Sequence, residues 1–175
     1  MWGFTMTYSN IVFNANDIDS VISTMERYGF ENLDGEMFVY NLQNFIYAYI
    51  DVSMGTAGFN LSPFDISINK YNIITYDDVC RFISIVEAVK AEGTQQLFIE
   101  ALKALGFHAV QSCNQIVYKY LHNGITHNSL STINLQTMCS TICEIDINRN
   151  SEFSCGYDNL DDFLSALSKK LLKIS

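Results

Sequence analysis

The residue pattern predicts an α+β protein, with a mixed or antiparallel sheet and about four helices packed on it, or the same elements shared between two similar small lobes. Two observations carry this expectation. Apolar stripes at helical spacing recur at 18–28, 79–89, 97–105 and 160–173, and aromatic or alternating runs fall between them in irregular order. The length of 175 residues suits one domain spanning 1–175, which would bury roughly two thirds of the surface its unfolded chain exposes. With 49% hydrophobic and 13% aromatic residues, the composition is that of a chain with a packed core.

Thr5 to Phe13 is rich in β-branched and aromatic residues and reads as a strand. Asn14, Asn16 and Asp17 then offer caps for a helix whose stripe is Ile18, Val21, Ile22, Met25 and Tyr28, closed by Gly29. Glu36 to Val52 reads as one bent strand or two strands meeting near Asn41–Asn44. From Met54 to Asn72 the pattern breaks around Gly55, Gly58 and Pro63, which predicts a loop and an edge strand. Thr75 caps a helix with Asp77 and Asp78 in its first turn and Val79, Phe82, Ile83, Val86 and Val89 inward. Gly93 ends it, and Thr94 starts another that stops at Gly106.

Residues 122–136 are polar and turn-rich, which predicts an exposed loop. Ile142, Ile145 and Ile147 fall among Glu144, Asp146 and Asn148, the alternation of a half-exposed strand. Asn159 caps a last helix with acids in its first turn and Lys169, Lys170 and Lys173 in its last, the charge order a helix dipole favours. Two stretches, VISTMERYGF at 21–30 and FIEALKALGF at 98–107, each close a helix on Gly-Phe and lead toward an aromatic run. They raise the expectation of an internal duplication, 5–72 and 94–150.

Net charge is −9, from 19 acidic residues against 10 lysines and arginines. Three arginines in all cannot make the basic stripe that a phosphate backbone requires, so direct nucleic-acid binding is not expected. No apolar run approaches the roughly 18 residues a membrane-spanning helix needs, and the N-terminus lacks a signal pattern; no membrane association and a cytoplasmic location are expected. Five irregularly spaced cysteines read as reduced, mostly buried thiols.

Candidate chemistry is sparse. Cys139 and Cys143 with His122 and His127 lack the ligand spacing of a zinc site. Glu144 and Asp146 would project from one strand face about 7 Å apart, as an ordinary solvent-facing pair does. His108, His122 and His127 with Cys113 offer a base and a nucleophile without the sequence context of either. MGTAGFNLSP lacks the GK[ST] ending of a phosphate-binding loop. None of these stretches carries the motif of a known family, and no catalytic residue, cofactor or metal is expected.

The function expected is that of a non-enzymatic acidic module binding a protein partner with a basic surface. Its carboxylates would be Glu144, Asp146, Glu152, Asp158, Asp161 and Asp162. In its sharper form this is an inhibitor from a virus or mobile element, in the host cytoplasm, covering the nucleic-acid-binding surface of a host defence protein. The alternative is a structural subunit of a viral particle or other complex.

Overall fold

The computed structural model describes residues 15–171 apart from Asn44, Pro63, Asp65, Thr126 and Asn150; the strand expected at Thr5–Phe13 lies outside these residues. The class is α+β, and the described residues form two antiparallel five-stranded sheets and four helices. The chain divides into two compact units, Met1–Ser62 with Ser67–Leu97, and Pro63–Ile66 with Phe98–Ser175.

The first sheet has the order β1 (Glu31–Asn32), β2 (Met37–Gln43), β3 (Ile46–Asp51), β4 (Thr56–Leu61) and β5 (Ile66–Asn72), flanked in sequence by α1 (Ala15–Tyr28) and α2 (Tyr76–Glu92). Register places Phe38 beside Ile50 and Ala57, and Tyr40 beside Ala48 and Phe59, on one face. That face receives α2, because Phe82 meets the Phe59 ring at 5.6 Å, with Val79 and Val86 buried along the same stripe. Val21 and Met25 of α1 are fully buried too, as their spacing predicts.

β4 corrects the loop expected after Met54. Its residues are buried on both faces, so it shows no alternation, and its glycine answers a packing need instead of breaking the strand. A Cβ at Gly58 would lie 3.1 Å from the Ile68 carbonyl and 3.2 Å from that of Asn69. Only glycine lets β5 come so close.

Thr75 builds the capping box its position predicts. Its hydroxyl accepts from the Asp78 amide at 3.3 Å, while the Asp78 carboxylate accepts from the Thr75 amide at 2.9 Å and the Ile74 amide at 3.0 Å. Those backbone donors, Ile74 first, hold the Asp78 carboxyl below its ordinary value. A depressed carboxylate stabilises the fold above the unfolded-state pKa of roughly 4, and this contribution is lost as pH falls through the folded value. Thr75→Ala, which removes the N-cap hydroxyl, should cost about 1 kcal/mol in urea denaturation at neutral pH. The difference from wild type should shrink in acid; a pH-independent deficit would dissociate the cap from Asp78.

The second sheet runs in the order β10 (Ser151–Tyr157), β9 (Cys139–Asp146), β8 (His127–Asn134), β7 (Gln115–Asn123) and β6 (His108–Ser112), between α3 (Gln95–Leu105) and α4 (Leu160–Leu171). Register sets Tyr120, Ser131, Ile142 and Cys155 in one row and Tyr118, Ile133, Ser140 and Tyr157 in another on the same face. Tyr157 meets Phe163 of α4 at 5.9 Å, which identifies the face α4 covers.

β8 replaces the loop expected at 122–136. It is polar yet central, paired to β7 and β9 along its length, so its backbone groups are satisfied on both sides. Small Ser131, 1% exposed, stands where a bulky residue would separate sheet from helix. The Thr132 and Thr141 hydroxyls bond across strands at 2.5 Å.

The two units share an order of elements: a helix, a five-stranded meander and a second helix. They also share the first helix's termination. Gly29 and Phe30 donate to Glu26 and Met25 at 3.0 Å, and Gly106 and Phe107 donate to Lys103 and Leu102 at 3.0 and 2.9 Å, two Schellman caps with glycine at φ +113° and +108°. In each, the phenylalanine meets a tyrosine of the second strand, Phe30 with Tyr40 and Phe107 with Tyr120, at 5.5 Å.

Candidate functional site

The six carboxylates singled out from the sequence all lie in the second unit, and the sheet does not assemble them. Glu144 faces α4 and pairs with Lys170. Asp146 ends β9, where its Oδ1 accepts from the Asn148 and Arg149 amides at 2.9 and 3.0 Å, and its Oδ2 lies 3.5 Å from His127 and 3.9 Å from Arg149. It holds the β9–β10 turn. Phe153 is the partner of Glu144 in the register, so Glu152 points to the opposite face, where it accepts the Cys143 thiol at 3.0 Å. That bond pushes the Cys143 thiol above its ordinary pKa, leaving it a poorer nucleophile.

Asp158, Asp161 and Asp162 stand at the other end of β10, roughly 20 Å away by strand rise from Glu152. Asp161 and Asp162 occupy the first turn of α4, whose cap forms where the Asp161 amide donates to Asn159 at 2.8 Å.

The histidines and cysteines do not converge either. Cys113 and Asn114 form a two-residue β6–β7 hairpin with φ of +48° and +66°, the type I′ geometry. His122 lies near the far end of β7, roughly 20 Å or more along the strand from that tip, and His127 begins β8. His108 faces Lys119 at the start of β6. Proton transfer needs a contact near 3 Å, which this spread does not offer. Cys139 and Cys143 lie on one strand face, not one helix face, and among the described residues no cluster of three or more metal-binding side chains occurs. All five cysteines are free, as expected, but none is fully buried: Cys113 and Cys139 are exposed and the others half-buried.

Sequence reasoning missed an aromatic and lysine arrangement present in each unit. In the first, the Tyr28 hydroxyl donates to the Glu87 carboxylate, and Lys90 lies 5.6 Å from the Tyr28 ring and 5.2 Å from that of Tyr40. Burial, then Glu87, pushes Tyr28 up to about 12, so it stays a neutral donor. In the second, Tyr120, His122, Ser129, Leu167 and Lys170 line a cleft of about 10 Å³, room for about one water. A Gly-Phe stop followed on the next long strand by tyrosine, with lysine near the end of the closing helix, was the available signal. A larger cleft of about 240 Å³ lies by Tyr71, Asn72, Arg81 and Phe82. Its carboxylate, Asp78, is already engaged in the capping box.

Charge is the property the two units do not share. The first carries eleven carboxylates against four bases, the second eight against six. In the first, Asp17, Asp19, Glu26, Glu31, Glu36 and Glu92 are exposed and, among the described residues, make no ion pair. Among the described residues no helix is long and apolar enough to cross a membrane. Comparison with family models, curated proteins and solved structures finds no match.

Proposed function

We propose that the chain is a non-enzymatic acidic binding module whose first unit covers a basic surface of a protein partner. The observation that supports this reading is the concentration of exposed, unneutralised carboxylates in that unit. Asp19 and Glu26 stand two turns apart on α1, on the side away from buried Val21 and Met25. The second unit's Glu144 and Asp146 already have cationic neighbours and contribute less to an external field. Complementary charge of this kind raises the encounter rate and sets specificity more than affinity. A partner that itself binds nucleic acid fits best, and inhibition of a host defence protein by a virus or mobile element is the sharper form.

The test is retention of partners from source lysate on the immobilised chain at low and high salt, with nucleic acid as competitor. A partner released by salt and displaced by nucleic acid is expected, and Asp19→Lys with Glu26→Lys should weaken it tenfold or more. Asp161→Asn with Asp162→Asn should leave it unchanged. Salt-resistant binding indifferent to the lysine pair would overturn the reading.

The matching caps and element order also support reading the two units as copies of one module, with bounds near 15–92 and 95–171. A role as assembly subunit is favoured by one feature, the edge of β10, with which no described strand pairs.

A further inference from the structure

The two sheets end differently. In the first, β1 is two residues long and β5 is interrupted by Asn69 at φ +51°, followed by Lys70, so both edges are blunted. In the second, β10 pairs with β9 through all seven of its residues without a register shift, and no described strand pairs with its other side. Residues 151–154 are exposed, and Phe153 keeps 66% of its surface accessible. A straight edge with an exposed aromatic ring is a template for another strand, and proteins that leave one usually have it covered.

We propose that β10 pairs with β10 of a second copy of this chain, antiparallel across a two-fold axis at Ser154, joining two five-stranded sheets into one of ten. Directly opposite residues share a face, so a two-fold that keeps the helix-covered faces on one side must be centred on a residue. Centring on Ser154 uses the whole strand and sets Ser151 opposite Tyr157, Glu152 opposite Gly156 and Phe153 opposite Cys155. No like charges meet. Centring on Cys155 would oppose Glu152 to Asp158, centring on Glu152 would oppose it to itself, and centring on Phe153 shortens the ladder.

Phe153 gains most. In the Ser154-centred pairing its ring lies diagonal to Phe153 and Tyr157 of the second copy, within reach of aromatic side chains. Charge also favours this edge over any surface of the first unit, since the unit that carries it is the less acidic of the two. Two copies joined here would present two acidic first units to a partner, although the pairing stands without that function.

The test is the mass of the full chain in solution by light scattering, from ~1 µM to ~200 µM, the span over which a small interface associates. A concentration-dependent dimer is expected. Ser154→Glu places two carboxylates opposite each other and should weaken the dimer tenfold or more, with the far-ultraviolet dichroism and melting of the monomer unchanged. Ser154→Cys should form a reducible covalent dimer under mild oxidation, because opposite Cα atoms at about 4.5–5.5 Å suit a disulfide. Wild type, whose Cys155 faces Phe153 in this register, should not. A wild type monomeric over the whole range, a dimer indifferent to Ser154→Glu, or a Ser154→Cys variant that forms no crosslink would each overturn the proposal. So would a monomer whose β10 amides become protected only on adding a different protein, which would assign the edge to that protein.

Discussion

Phe59→Ala is expected to cost about 3–5 kcal/mol, a large part of the stability of a unit this size. Phe59 is 1% exposed, stands beside Ala48 on the face under α2 and meets the Phe82 ring at 5.6 Å in a tilted arrangement. Small Ala48 and Ala57 beside it cannot fill the space the ring would leave, and the backbone of a strand paired on both sides cannot collapse into the void. The loss should appear in urea denaturation, with faster hydrogen exchange at β3 and β4 amides and unchanged exchange at β7 to β9. Phe153→Ala is the control: as an exposed ring on an edge, it should stay within roughly 0.5 kcal/mol in the monomer. If Phe59→Ala costs less than about 1 kcal/mol, β4 is not an interior strand of the first sheet.

The helices were legible because their ends are written in local chemistry. Thr75, Gly93, Gly106 and Asn159 each stand at the boundary their side chain or φ preference dictates. The strands were legible only where one face is wet. β4 was missed because both faces are buried, so alternation vanishes and Gly55, Gly58 and Pro63 read as breakers. β8 was missed for the opposite reason: its interior face carries Ser129 and Ser131, and a pattern that scores apolar residues passes over them. β10 offers no β-branched residue in SEFSCGY and leans on β9 for its conformation.

The arrangement of the six carboxylates was not legible either, for the same reason. Proximity in sequence between 144 and 162 suggested a cluster, but pairing register sends Glu144 and Glu152 to opposite faces, and Lys170, distant in sequence, neutralises one of them. The corresponding tyrosines were hidden by hairpin length. Tyr40 follows its glycine by 11 residues and Tyr120 by 14, since β6 and its two-residue turn make a longer first hairpin than β1 and its loop.

Those tyrosines make the two helix stops unequal in one measurable respect. Gly29 and Gly106 share a φ that disfavours any side chain, so alanine at either should cost about 1–2 kcal/mol from the backbone alone. A Cβ at Gly29 would lie 3.4 Å from the Tyr40 ring, an ordinary contact, whereas one at Gly106 would lie 2.7 Å from the Tyr120 ring. Tyr120 cannot retreat freely, because its ring also meets Phe107 at 5.5 Å and stacks with His122 at 6.4 Å. Gly106→Ala should therefore add an overpacking cost and total about 3 kcal/mol in urea denaturation, against about 1–2 for Gly29→Ala. Adding Tyr120→Leu to Gly106→Ala should return the difference, since two residues in contact couple in a double-mutant cycle. Equal losses at the two glycines, or a cycle with no coupling, would mean that the Tyr120 ring does not rest on the glycine and that the parallel between the two units stops at the backbone.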